Sequence, residues 1–205
     1  NKEKLEGIKK SGVLKADRNS QTYFSDKVPF GYNYADKNND IVDTRDAKAP
    51  HGAHVSGIIG ANGDDSKISD NKAVKGVAPN VQLLAMKVFS NGKNGQYTYA
   101  DDQLAAIDDA VALGADVINM SLGAPSGFRN DSDPVEDAIT RATNAGVMVV
   151  VSAGNSGYST EPYGLGSLND QITASNPALA KDALMVASYE NSTIIDKVIN
   201  FKDKS

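Results

Sequence analysis

The chain has 205 residues, 40% of them hydrophobic and 23% charged, the balance of a single globular domain large enough to bury a core. Its 26 acidic and 21 basic residues leave a formal charge of -5, so it lacks the basic excess that phosphate backbones require, and nucleic acid is excluded as a partner. No apolar run approaches the roughly 20 residues a bilayer helix needs, so membrane insertion by this segment is not expected, and the absence of Cys removes disulfide and thiol chemistry.

Residues 1–10 are charged and lack the basic-then-apolar pattern of a secretory signal, so the start reads as internal to something longer. Residues 5–14 read as a short basic helix and residues 28–34 as a strand, followed by the polar stretch 35–48. From Val81 onward strand-like runs alternate with helical patterns, which predicts an α/β fold with parallel strands joined by crossover helices. The first of these strands is 81–89. In the helix 99–113, Leu104, Ile107 and Val111 share one face, Asp101, Asp102, Asp108 and Asp109 lie mostly outside it, and Gly114 is the C-terminal cap. A strand over 116–122 follows. The next helix opens with Asp133 as cap, Pro134 in the first turn and Glu136 at the capping-box position, and closes at Gly146. Residues 147–152 form the most hydrophobic strand, and 184–189 a shorter one after a long loop rich in Gly, Ser, Asn and Pro. Right-handed crossovers would align the strand ends on one rim, where ligands of open α/β sheets bind. Residues 192–205 alternate apolar and charged residues without a closing cap and read as a cut through a longer chain.

Both histidines of the chain fall in Pro50-His51-Gly52-Ala53-His54-Val55-Ser56-Gly57. Glycines at 52, 57 and 60 each cost a helix up to about 1 kcal/mol relative to Ala, and the expected compensation is a central helix whose small residues let neighbouring backbone approach closely. His51 would occupy its N-terminal tip, where the helix dipole disfavours imidazolium and keeps a general base neutral. A capping or core-satisfied histidine carries about equal weight on spacing alone. A metal site from His51 and His54 is the weaker alternative, because no Glu follows His51 as in the zinc-protease pattern. Two further segments end strands on the same rim: Ile118-Asn119-Met120-Ser121-Leu122-Gly123 and Val151-Ser152-Ala153-Gly154-Asn155-Ser156-Gly157. Gly154 permits close approach of backbone or ligand, and Asn155 offers a neutral amide donor, although Gly-Asn is also a common turn pair.

These segments, together with Gly76-Val77-Ala78-Pro79, resemble in order the internal motifs of subtilisin-like serine proteases over residues 51–190. The segment before His51 and Val186-Ala187-Ser188-Tyr189-Glu190-Asn191 are most similar to the cell-envelope subtilases of Gram-positive bacteria, the lactocepin and streptococcal complement-cleaving peptidase type. The resemblance implies an incomplete three-layer fold, a mainly parallel sheet flanked by helices. It implies a partial catalytic domain over 1–191, with 192–205 beginning an inserted protease-associated domain or a linker. It also implies a secreted or envelope-attached endopeptidase acting on extended polypeptide, with no cofactor for the chemistry. Carried over residue by residue, His51 matches the triad histidine and Asn155 the oxyanion-hole side chain. Ser121, Leu122 and Gly123 match the strand that pairs with substrate backbone, and Ala153 with Gly154 the wall of the pocket for the residue before the scissile bond.

The resemblance also has departures. Ala53 stands where the family usually has Thr. The Gly-Thr-Ser-Met-type nucleophile motif and the Asp-Ser/Thr-Gly-type aspartate motif do not occur in the chain. Asp43-Thr44-Arg45 lacks the Gly and lies too close before His51, so Asp43 is expected to be a loop residue near the site. The implied reading is a piece of a protease that is inactive alone; its rival is a peptide-binding pseudoprotease. A nucleotide-binding domain would need a phosphate loop, for which Gly92-Lys93-Asn94-Gly95 is a poor match. The oxygen-rich loop of Asn62, Asp64, Asp65, Ser66, Asp70 and Asn71 lies where many subtilases bind structural calcium, but its spacing fits no fixed calcium signature and a solvated loop is the preferred reading.

Overall fold

The computed structural model describes residues 2–20, 22–44, 50–68, 72–92, 97–125, 132–156 and 174–189. The expected boundaries hold at the strand cores and contract at their ends. The strands are β1 (Phe30–Asn33), β2 (Leu84–Lys87), β3 (Val117–Met120), β4 (Met148–Ser152) and β5 (Leu184–Val186). All strand pairings are parallel, as the alternation predicts. They form two sheets among the described residues, β1-β2 and β3-β4-β5, rather than one continuous sheet.

The helices are α1 (Lys2–Ser11), α2 (His51–Gly60), α3 (Asp65–Ile68), α4 (Ala100–Leu113) and α5 (Pro134–Asn144). The punctuation read from the sequence acts as expected in the last two. Gly114 closes α4 in the left-handed region at φ 81°, and its N–H donates to the carbonyls of Ala110 and Val111. Asp133 Oδ1 accepts the N–H groups of Val135 at 2.8 Å and Glu136 at 3.4 Å to open α5. The first helix begins three residues earlier than expected and stops at Ser11, because Gly12 turns the chain at φ 77°. The one-turn α3 was missed, since its signal is only Asp64 accepting from the Ser66 N–H and hydroxyl.

Two apolar clusters organise the molecule. In the first, Ile139 and Ala142 of α5 and Ile107 of α4 close over Val149 and Val151 of β4 and Met120 of β3. In the second, Phe30, Tyr32 and Tyr34 pack with Val88, Ala106 and Leu113, and Leu122 touches both. Along β4 burial alternates, with Val149 and Val151 buried while Met148 stays 54% exposed, so α4 and α5 cover one face of the sheet.

Two expectations fail. Asp109 does not lie outside the buried side of α4: it is 1% exposed, and its carboxylate accepts Lys15 N–H at 2.6 Å, Ala16 N–H at 2.9 Å and Tyr34 hydroxyl at 2.8 Å. Local helical periodicity cannot anticipate donors brought from over 70 residues away. The second failure is the close-packed α2. Among the described residues its helical face is largely exposed, and a Cβ on Gly52 or Gly57 would meet nothing within 4 Å. Close approach occurs only at its C-terminal end, where the segment after β-bridge residue Lys75 runs against the helix: Gly76, Val77 and Ala78 donate to the carbonyls of Ala61, Ile58 and Ile59 at 2.8–2.9 Å. These bonds satisfy carbonyls that the helix end leaves open. A Cβ on Gly76 would lie 2.6 Å from Gly60 N and 2.7 Å from Ala61 N, which is why that position is glycine.

Candidate active site

His51 is the first residue of α2, directly after an extended Pro50 whose carbonyl accepts the His54 N–H at 3.0 Å. No side chain caps this end, so the ring projects from the helix tip without competing for its N–H groups. Its Nε2 lies 3.0 Å from the carbonyl oxygen of Ser121, the residue that follows β3. A carbonyl can only accept, so Nε2 carries the hydrogen in this contact and, in a neutral ring, Nδ1 is the acceptor. Nε2 is therefore engaged by the strand end. Asn119 Nδ2 donates to Ser121 Oγ at 3.0 Å, which fixes the hydroxyl of the same residue.

The neighbouring strand end carries the second group. Met120 pairs with Val151, so one step further along the parallel ladder Ser121 runs beside Ser152, the last residue of β4. From there Ala153, Gly154 and Asn155 leave the sheet. Asn155 is exposed, and Gly154 turns the chain at φ 94°. Strands lie about 4.8 Å apart, so Ser121, which meets the imidazole, and the backbone that leads to Asn155 leave neighbouring strands at the same end of the sheet. Leu122, half-buried, anchors that rim to both apolar clusters.

The end of the long loop before β5 has a role that its composition does not announce. Ser175 donates its hydroxyl to the Ser152 carbonyl at 2.7 Å and its N–H to the Ala153 carbonyl at 2.8 Å. The Asn176 carbonyl accepts the Ala124 N–H at 2.9 Å, and Asn176 Nδ2 donates to Asp133 Oδ2 at 3.2 Å. Ser175 and Asn176 thus join the ends of β3 and β4 and the start of α5. Nothing in the local composition distinguishes them from the rest of a Ser- and Asn-rich loop.

The other candidates stand apart from this rim or are engaged elsewhere. His54 lies exposed within α2, and among the described residues no three His, Cys, Asp or Glu side chains are grouped to hold a metal. Asp43 lies in a loop, as expected; its neighbours are tied to Asn91, whose Nδ2 donates to Val42 O at 3.0 Å and whose Oδ1 accepts Thr44 N–H at 3.3 Å. That loop is anchored by Asp36. Burial works to raise its pKa, but hydrogen bonds from Ser90, Asn91 and Asn33 outweigh this and hold the carboxyl low. In the oxygen-rich loop Asp64 bonds to Ser66, and Asp65 pairs with Lys75 at 2.6 Å, while Asp70 and Asn71 lie outside the described residues. Most of the weak phosphate-loop match, 93–95, and the whole of 192–205 also lie outside them. No helix is long and apolar enough to cross a membrane among the described residues.

Comparison with known proteins gives the family of the chain. The family model of the Subtilase family matches residues 7–202. The chain is 42% identical over 189 residues to the PII-type proteinase of Lacticaseibacillus paracasei, a match covering 88% of this chain and 10% of that protein. It is 37% identical over 194 residues to the C5a peptidase of Streptococcus pyogenes serotype M18 (strain MGAS8232), covering 92% of this chain and 16% of the peptidase. The chain therefore spans a tenth to a sixth of the length of these relatives. Among solved structures, Sphericase superposes with a TM-score of 0.51 at 33% identity over 77% of this chain and 44% of that one, which agrees with an incomplete α/β subtilisin-like fold. With a family match over residues 7–202 and relatives 37–42% identical over most of its length, the chain belongs to the subtilase family of serine proteases.

Proposed function

We propose that the chain supplies the general base and the oxyanion amide of a secreted or envelope-attached serine endopeptidase that cleaves extended polypeptide. The supporting observation is the contact of His51 Nε2 with the Ser121 carbonyl, at the end of the strand next to the one that leads to Asn155. A histidine held there reaches the same scissile bond as a substrate laid along Ser121, Leu122 and Gly123, with the preceding side chain against Ala153 and Gly154. Asn155 would donate to the oxygen that becomes negative in the transition state.

The same contact bears on turnover. In the present geometry Nε2 holds a hydrogen toward Ser121, whereas a base needs that nitrogen free. A carboxylate accepting from Nδ1–H sets the opposite tautomer, the role of the aspartate in a triad. Neither the carboxylate nor the nucleophile is assigned to these residues. The resemblance puts both outside them, so residues 1–191 act as part of a catalytic domain, and 192–205 lead into an inserted domain or linker. No cofactor is required for this chemistry.

The test uses the complete protease. His51→Ala is expected to abolish turnover almost entirely, because it removes the group proposed to take the serine proton. Asn155→Ala is expected to lower kcat about 100- to 1,000-fold, the loss known for an oxyanion amide in a subtilisin, with KM little changed. Steady-state kinetics on an extended peptide decides the matter. Equal, purely KM-based effects of the two substitutions would instead identify a peptide-binding groove without catalysis.

A further inference from the structure

We propose that Ser175 is a positioning residue for Asn155. The proposal rests on the reading of Asn155 as the oxyanion donor and assigns a role to a segment outside the motifs that define the site.

Asn155 is exposed, and among the described residues no side chain holds its amide. An oxyanion donor contributes only when held close to its working position, and an error of about 1 Å in an active site can cost roughly 100-fold. Its position must therefore come from the backbone that leads to it. That backbone is fixed largely by one side chain and one N–H. Ser175 Oγ holds the Ser152 carbonyl at 2.7 Å, and Ser175 N–H holds the Ala153 carbonyl at 2.8 Å. On the opposite edge Ala153 N–H donates to the Val186 carbonyl at 2.8 Å, so the strand end is clamped from both sides. Immediately beyond the clamp Gly154 turns at φ 94° and presents Asn155.

The serine also fits a space shaped for it. It is 2% exposed. A Cβ on Gly154 would lie 3.0 Å from Ser175 Cβ, and one on Gly123 would lie 3.0 Å from Ser175 Oγ and 2.8 Å from the Asn176 carbonyl. Both rim glycines are thus bare on the side where Ser175 sits. Through Asn176, whose carbonyl accepts the Ala124 N–H, the same clamp reaches the strand end that contacts His51. Ser175 consequently relates the amide to the rest of the site.

A double-mutant cycle in the complete protease tests this. Ser175→Ala removes one hydrogen bond and keeps the Cβ, and is expected to lower kcat about 3- to 10-fold with KM changed less than about 2-fold. In the Asn155→Ala background the same substitution is expected to cost less than about 2-fold, because the group it positions is gone. Equal losses in both backgrounds, or no loss in either, would overturn the proposal. Should Ser175→Ala not fold, Ser175→Cys, nearly isosteric with a weaker donor, enters the same cycle. If Asn155→Ala alone leaves kcat unchanged, the oxyanion reading fails first and the proposal falls with it.

Discussion

At the scale of single residues, Asp109 shows how a carboxylate survives burial. Three donors from α4's distant neighbours, the Lys15 and Ala16 N–H groups and the Tyr34 hydroxyl, replace the water it loses. The phenol responds: burial first, and then the negative charge of Asp109, push the Tyr34 pKa well above its ordinary value. Tyr34→Phe removes a hydrogen bond to a charged group and should cost about 1.5–3 kcal/mol in chemical denaturation. The sign of the pH effect follows from the raised pKa. In the unfolded chain the phenol ionises near pH 10, while in the folded chain it keeps its proton. The stabilisation is therefore complete below about pH 10 and is lost as pH rises beyond it. Wild type should lose stability more steeply than Tyr34→Phe between about pH 9 and 11. Parallel slopes would show that this phenol does not carry the effect.

Among elements, legibility tracks how local the determining chemistry is. The cap of α5 at Asp133 and the left-handed stops at Gly114 and Gly146 were all readable, because each involves a few consecutive residues. The glycines of α2 were not. They look alike in the sequence, yet Gly57 faces open space while Gly76, outside the helix, presses on the backbone of Gly60 and Ala61. The two positions should respond oppositely in the 205-residue chain. Gly57→Ala is expected to stabilise by about 0.5–1 kcal/mol through helix propensity. Gly76→Ala is expected to destabilise by about 1–3 kcal/mol, since the obstruction is main chain and cannot rotate away. Urea denaturation of both variants gives the comparison, and a stable Gly76→Ala would mean that the segment after Lys75 does not lie against α2 as described.

For the molecule as a whole, one sheet face is unfinished among the described residues. Parallel sheets are normally covered on both faces, but Val117, Met148 and Leu184 are each about half exposed. Two serines end the strands at the rim: Ser121 Oγ accepts from Asn119, and the backbone carbonyl of Ser152 accepts from Ser175. Purified alone, the 205-residue chain should remain unlabelled by a fluorophosphonate, whereas the complete protease should label at a serine outside this sequence. Stoichiometric labelling at Ser121 or Ser152, lost in His51→Ala, would instead place a nucleophile inside these residues. What the sequence determined by itself was the α/β alternation, the helix ends and the residue types on the rim, because these depend on periodicity and on contacts a few residues apart. Tertiary structure alone decided that Asp109 is buried, that His51 meets the Ser121 carbonyl 70 positions away and that Ser175 clamps the path to Asn155. Each of those outcomes is a hydrogen bond between segments remote in the chain, and such a partner exists only once the strands have been brought side by side.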